Sequence, residues 1–587
     1  MNLSLSDWTV AQAAAVLALA FVCRSRRTNQ NPLVRLTARW APLALGVLIF
    51  TTTWILEGRV EPLPMVFALL FALVETSGAL RRSFSRRRRL NAPILLGMVS
   101  AAVAFWVWSG GSFRPRFHDE SAYVLQAGIF AEGRWSDPSP PLPEFFEQFH
   151  VLVVPVRAAK YPPGHALLLA PGAAFGAPAA VPLLLVAGTA ALLFALTRRF
   201  GGERAAFLAW LVWTIAPGGL RLRSSYFSEL TTSFLWLAVW WTILKWRDTD
   251  RPIWLSAAAF GASWGAITRP LTMLLFAAPL AVAVSVRLVK RRKIRDLAAA
   301  AIATVLPLLL IPLWSLRTTG SWSTTPLAAY TRAYMPFDVP GFGVDTKPAE
   351  RTLPGCMQAI GPIFRHTHRE HQLDALPRIL GQRVTAVLRD AFGSSPILFA
   401  FALLGAALMP REGVLALMTG VFLLIGYLIY AHLAVWSIYY LEIQPVLAAA
   451  VGIGLSATIG SLPGNLPRVA TALLVLALAI FGALEIASVR SEKERSGPRS
   501  KRLRAALASL PQARSSVVFV RCTPGADPHE GLVQNGPDLA RARIWLVHDL
   551  GERNRELQSV SPGRDSYLYD EIHGRLTAVG AGHGTNP

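Results

Sequence analysis

Apolar runs separated by short polar blocks repeat along the chain as far as about Val489 and then stop. They lie at 8–23, 40–57, 62–80, 92–109, 178–197, 205–218, 229–245, 253–268, 270–288, 297–316, 394–410, 413–432, 442–460 and 467–487. A bilayer span takes roughly 17–25 apolar residues. The pattern therefore predicts a mostly α, polytopic transmembrane helical bundle of about 14 spans. One further apolar stretch, 164–176, is short and carries Pro171 and Gly172. A half-inserted or interfacial helix facing protein is the expectation there.

Past the last span the pattern changes period. "SSVVFVRC" (515–522), "RARIWLVHDLG" (541–551) and "DSYLYDE" (565–571) read as short buried strands between polar segments. They predict a small C-terminal α/β domain. The chain then divides into extra N-terminal spans (1–91), a transmembrane core (92–487) with polar loops at 110–177 and 317–393, and a soluble domain (488–587). His548 and Asp549 form a strand-end pair with no nucleophile motif nearby, which is a structural pattern.

Composition agrees with the pattern: 53% of residues are hydrophobic, 16% are charged, and the mean hydropathy is +0.41. The net charge of +23 raises the question of nucleic acid. The basic residues sit in short blocks between apolar runs, as membrane topology requires, and form no basic face interleaved with aromatics. No nucleic-acid partner is expected; anionic lipid headgroups are. The blocks 24–39, 81–89, 198–204, 245–251 and 287–295 are expected in the cytoplasm. They agree only if 164–176 does not cross. The N-terminus, the loops 110–177, 219–228, 317–393 and 433–441, and the tail then lie outside. "RSEKERSGPRSKRLR" (490–504), directly after the last span, opposes this by its charge. Cys23, Cys356 and Cys522 make no metal spacing. Cys356 and Cys522 can pair if both lie outside; free thiols are the plainer reading.

The outside face collects the unusual residues. "FRPRFHDESAY" (113–123) sets His118, Asp119 and Glu120 at a helix start. Carboxylates suit a helix N-terminus, so a cap with a first-turn acid is the plain reading. "KYPPGHALLLAP" (160–171) brings Lys160, Tyr161 and His165 to a proline-led helix, with Lys160 either snorkelling or awaiting a phosphate. "RLRSSYFSEL" (221–230) holds Arg223 and Glu229, and "ITRPLTML" (267–274) holds Arg269. "AVWSIYYLEIQP" (434–445) holds Tyr439, Tyr440 and Glu442, the aromatics fitting an interfacial belt. Lys160, Arg223 and Arg269 are candidate phosphate clamps, and His118, Tyr161, His165, Glu229, Tyr439, Tyr440 and Glu442 candidate substrate contacts. Acids and bases gathered on one face of an apolar bundle suit an amphiphile with an anionic head.

In "HDESAY", "KYPPGHALLLAPGAAFG", "ALTRRFGGERAAFLAWLVWTIAP" and "IYYLEIQPVLA" the chain resembles the GT-C membrane glycosyltransferases over roughly residues 110–460. More narrowly it is similar to glycosyltransferase family 39, the protein O-mannosyltransferases and the lipid A aminoarabinose transferases. The resemblance implies inverting transfer of a sugar from a polyprenyl-phosphate donor to a glycan, lipid or protein acceptor. The site would lie on the extracytoplasmic side of a membrane, such as the inner membrane of a bacterium. Asp119 would be the general base, Glu120 would bind acceptor or metal, and Lys160 would bind the donor phosphate. Glu229 stands where relatives often carry Asp. A divalent cation held by Asp119 and Glu120 together is the one cofactor left open. The competing classes are a lipid-linked sugar transporter or flippase and a non-catalytic envelope protein. Against a transporter, the charges lie at span ends and no internal repeat appears.

Overall fold

The computed structural model describes residues 91–579 except 292, 344–347, 359, 394–396, 524–526 and 528. The expected spans 8–23, 40–57 and 62–80, the basic blocks 24–39 and 81–89, and Cys23 lie outside the described residues.

Seven described helices are long and apolar enough to cross a membrane: Ala92–Ser109, Ala180–Ile215, Pro270–Lys290, Ile294–Thr319, Arg411–Ile429, Ile443–Gly460 and Leu466–Arg495. The pair Leu376–Phe392 and Ile397–Leu408, bent by 97°, would make an eighth. Ala180–Ile215 contains two of the expected spans. Gly202 within it has φ +81°, which no helix accommodates. Ala187 packs against Gly97, while the Trp210 indole donates to Leu96 O (3.1 Å) and Ser100 Oγ (2.9 Å). In a straight helix residues 187 and 210 would be about 35 Å apart. Both reach residues 96–100, so the chain folds back at Gly202 and "RRFGGER" is the turn. The expected spans 229–245 and 253–268 are the helices Glu229–Thr249 and Pro252–Ala266, the second only 15 residues long.

Gly164–Ala174 has 11 residues, about 16 Å of helix against a hydrocarbon core of about 30 Å. It is too short to cross, as expected. Its first residue lies flat on the end of another helix. Gly164 N donates to Ile267 O (2.9 Å), and the Trp264 indole donates to Gly164 O (3.2 Å).

The polar segment before it is folded. A helix, His118–Ala131, is followed by a small antiparallel sheet in which Val156–Ala159 lies between Asp137–Pro138 and Val151–Leu152. The loop 317–393 builds a shared core on this segment: Tyr330, Tyr334, Phe337, Met357 and Ile360 pack with Phe149 and Leu152.

The C-terminal strands run in the order Ile544–His548, Ser515–Arg521, Arg564–Asp570, Arg575–Ala578, the first three parallel and the last antiparallel. The three expected strands are present, and 575–578 is an addition. Alternate residues of the central strand face opposite ways. Val517 and Phe519 pack on Phe145 and Phe146 of the polar segment; Val518 and Val520 pack on Leu503 of the helix Pro498–Leu507. Cys356 and Cys522 are joined by a disulfide, with 5.5 Å between their Cα atoms. The tail therefore sits on the same side as the loops 110–162 and 317–393. The basic stretch after the last span finds protein partners there. Arg490 donates to Trp106 O (2.6 Å), Lys493 to Ser224 O (2.8 Å) and Arg499 to Glu571 Oε2 (2.9 Å).

Candidate active site

Asp119 and Glu120 are adjacent in sequence and differ in surroundings, because successive helical residues point about 100° apart. Glu120 is buried. One of its oxygens accepts from the backbone N–H groups of Arg116 and Phe117 (both 3.3 Å), the other from Tyr226 N (3.0 Å). It accepts from the N-cap N–H of Phe117, the acid's half of a capping arrangement, and also ties the 224–228 loop to the start of the helix. Burial pushes its carboxyl above the usual range, against the pull of Lys493 and these N–H groups. Asp119 is not among the causes, so like-charge repulsion between the two adjacent acids is not what raises it.

Asp119 faces the other way. The Tyr161 hydroxyl donates to Oδ1. Oδ2 lies 3.7 Å from His118 Nε2 and 3.8 Å from His150 Nε2. Its side chain is 36% exposed, against 4% and 6% for the two histidines. It is thus the open member of a closed cluster. Burial lowers His118 to about 4, with Asp119 opposing and His529 assisting. Burial also holds His150 well below its ordinary value. Both imidazoles are neutral near pH 7.

Lys160 is buried beside them. Its backbone N–H donates to His150 O (2.8 Å), and its ammonium lies 4.9 Å from the Tyr330 ring centroid and 5.3 Å from that of Tyr161. Burial lowers its pKa, while Asp338 and Asp119 pull it back up. Asp338 is in turn held by Tyr430 Oη (3.2 Å) and His368 Nε2 (3.4 Å).

Glu229, Arg269 and Glu442 lie together in a neighbouring cluster. Arg269 pairs with Glu229 and donates to Tyr427 Oη (3.0 Å), and its guanidinium lies over Tyr439 (5.2 Å). One Glu442 oxygen accepts from Thr232; the other is buried without a partner among the described residues. Tyr123 joins the two clusters. Its ring stacks on Tyr161 (4.6 Å) and its hydroxyl donates to Ser228 Oγ (2.9 Å), which donates to Glu229 (3.2 Å).

Three expected contacts are placed elsewhere. Arg223 lies inside the bundle, stacked on Trp213 (4.0 Å) and donating to Trp213 O. Its expected role as a phosphate clamp does not fit that position. His165 has both ring nitrogens engaged, on Thr231 Oγ1 and Tyr226 O (both 2.8 Å). Tyr440 is buried and donates to His432 Nε2 (2.9 Å). Arg221, unexpected in an outside loop by its charge, pairs with Glu492 (2.6 Å). The cation site expected on Asp119 and Glu120 does not fit either, since both Glu120 oxygens are engaged, one by the N–H groups of Arg116 and Phe117 and the other by that of Tyr226. The donors that do converge are His118, Asp119 and His150, within 4.8 Å of one another.

His150, Tyr330 and Asp338 are site residues that the sequence reading passes over. His150 has no period to mark it: residues 151–159 are apolar apart from Arg157 and broken at Pro155, and the antiparallel pairing that sets His150 opposite Lys160 appears only in the fold. Asp338 lies in a long loop with no periodic pattern.

No family model matches the chain, and no curated protein matches it. Among solved structures it is similar to ArnT from Cupriavidus metallidurans bound to undecaprenyl phosphate, at 15% identity and a TM-score of 0.48, covering 80% of this chain and 92% of that one. It is similar to the same protein in the apo state at 13% identity and 0.46, with the same coverage. The Archaeoglobus fulgidus oligosaccharyltransferase in complex with Zn and sulfate is similar at 15% identity and 0.42, covering 73% of this chain and 60% of that one.

Proposed function

We propose that the chain is an integral membrane glycosyltransferase. It moves a sugar from a polyprenyl-phosphate donor to a hydroxyl-bearing acceptor, with inversion and with Asp119 as general base. One observation carries the reading: a partly open carboxylate, Asp119, stands beside a buried ammonium, Lys160, that has no hydrogen-bonded protein partner among the described residues. The two lie where apolar helices give way to folded loops. A lipid-anchored donor keeps its tail in the bilayer and its phosphate near headgroup depth, so it meets the protein at this level.

The acceptor oxygen attacks the anomeric carbon and forms the new glycosidic bond as the bond from that carbon to the phosphate oxygen breaks. The acceptor proton passes to Asp119, and the electron pair leaves with the lipid phosphate. Lys160 offsets the charge that grows on that phosphate. A single displacement needs no second carboxylate as nucleophile, which suits a site where Glu120 is a structural clamp. The Cys356–Cys522 disulfide supports an oxidising compartment, hence an extracytoplasmic site, with the inner membrane of a bacterium as the setting.

The test is Asp119→Asn in the purified full-length protein, assayed with radiolabelled polyprenyl-phosphate sugars. Loss of a positioned base costs typically 10²–10⁴-fold, and a loss of that order is expected with expression and fold unchanged. Transfer at a near wild-type rate would remove the base assignment.

A further inference from the structure

Asp119 shares its pocket with two side chains that the transfer chemistry does not use. His118 and His150 are almost fully buried, their ring centroids 4.5 Å apart. Their Nδ1 atoms have no hydrogen-bond partner among the described residues. Their Nε2 atoms reach only Asp119 Oδ2, at 3.7 and 3.8 Å, beyond hydrogen-bonding distance. Four ring nitrogens in one buried pocket therefore make no hydrogen bond among the described residues. Buried polar groups are nearly always paired, and each exception asks for an explanation.

The Nε2 pair has the geometry to take a shared ligand. Both nitrogens point at the same oxygen from different elements, and the three atoms lie within 4.8 Å of one another. Spacings of 3.7–3.8 Å contract with little side-chain movement to the edge of about 3.4 Å spanned by two donors on an ion with bonds near 2.1 Å. The histidines are fixed independently. His118 opens its helix and lies between the rings of Phe149 (4.8 Å) and His529 (5.2 Å). His150 is held through its backbone, its N–H donating to Tyr330 Oη (3.0 Å) and its carbonyl accepting from Lys160 N (2.8 Å). Rigid support of this kind is what a preorganised ligand set requires.

We propose that His118 Nε2, His150 Nε2 and Asp119 Oδ2 bind one late first-row divalent cation, with zinc as the reference ion. Two imidazoles select this class, because magnesium and calcium prefer oxygen donors. Three protein donors leave at least one coordination position free, the pattern of sites that meet a ligand rather than of sealed structural sites. Oδ1 stays with Tyr161, so a cation on Oδ2 and the acceptor proton draw on the same carboxylate, and the loaded site makes Asp119 a weaker base than the empty one.

The proposal rests on the same aspartate as the transfer reading, and binding is measured without transfer so that either can fail alone. The full-length protein in detergent is stripped with a chelator and titrated with zinc chloride, cobalt chloride and magnesium chloride by calorimetry, with cobalt absorption as a second readout. The expected result is one zinc per chain, bound roughly 100-fold or more tightly than magnesium, and a cobalt spectrum showing nitrogen ligation. His118→Gln and His150→Gln, checked for fold by circular dichroism, should each weaken zinc at least tenfold. His573→Gln, which removes an exposed imidazole paired with Asp570, should leave binding unchanged. Absence of stoichiometric zinc binding, equal affinity for magnesium, or unaltered binding in both histidine variants would overturn the site. Zinc binding by a chain that transfers no sugar would leave the site standing and remove the transfer reading.

Discussion

Burial of Lys160 sets its positive charge against stability. Its side chain is buried, two aromatic faces are its nearest neighbours, and the carboxylates of Asp338 and Asp119 act on it from beyond salt-bridge distance. Burial disfavours the ammonium and lowers its pKa. The sign follows directly. Between the lowered folded value and the ordinary unfolded one, the unfolded chain holds more protons, so stability rises with pH across that window. Below that window the folded chain carries the full cost of the buried charge. Lys160→Met, close in volume and uncharged, should therefore raise the thermal midpoint by a few degrees, about 1 kcal/mol on the usual scale of single substitutions. The same change should abolish use of the donor while acceptor binding persists. Calorimetric melting beside donor-binding assays checks both, and a destabilised variant would show that Lys160 anchors the fold instead. The neighbouring acids make a related point. Nothing in "HDE" says which carboxylate caps the helix, because both are compatible with its N-terminus; only the rotation between successive residues separates Glu120 from Asp119.

At the scale of elements, the half-length helix sets the position of the site. Gly164 lies so close to the end of the 252–266 helix that a Cβ there would sit 2.4 Å from Thr268 Oγ1 and 2.8 Å from Ile267 O. The second neighbour is backbone and cannot turn aside. Gly164→Val should push the two segments apart, separating Lys160 from the Arg269 cluster, at a cost of about 1–3 kcal/mol. Activity should fall at least tenfold while membrane insertion persists; transfer assays on solubilised protein decide it, and full activity would show that the contact is incidental. Elements governed by local pattern are legible in the chain. The spans follow from apolar length, the short helix from its proline and its failure to satisfy charge parity, and the tail strands from alternation. The sheet at 137–159 is not legible, since two of its strands have two residues each and therefore no period. Nor is the convergence of residues 119, 150, 160 and 338, which depends on how two loops far apart in sequence pack on each other through Phe149 and Tyr330.

At the scale of the whole molecule, three kinds of contact hold the C-terminal unit over the site. Phe145 and Phe146 enter one face of its sheet. Buried Arg157 donates to the carbonyls of Asn535 (2.9 Å) and Gly536 (2.6 Å). Cys522 is bonded to Cys356 across 166 residues. The consequence reaches the site, since His529 of this unit stacks on His118, whose Nε2 faces Asp119. A cross-link closing so long a loop restricts the unfolded chain strongly, and loss of a native disulfide typically costs about 2–5 kcal/mol. The sheet has a core of its own, so Cys522→Ser should not unfold the unit; it should make undocking easier. The expected outcome is faster proteolytic cleavage between residues 495 and 515 under non-reducing conditions, a lower thermal midpoint, and a partial loss of transfer as the packing around Asp119 loosens. Reductant should reproduce all three effects in the parent chain and add nothing in the variant. If the variant and the parent chain are cleaved at equal rates, the apolar face at Phe145 and Phe146 is sufficient to dock the unit, and the disulfide is only a record of the compartment in which the chain folds.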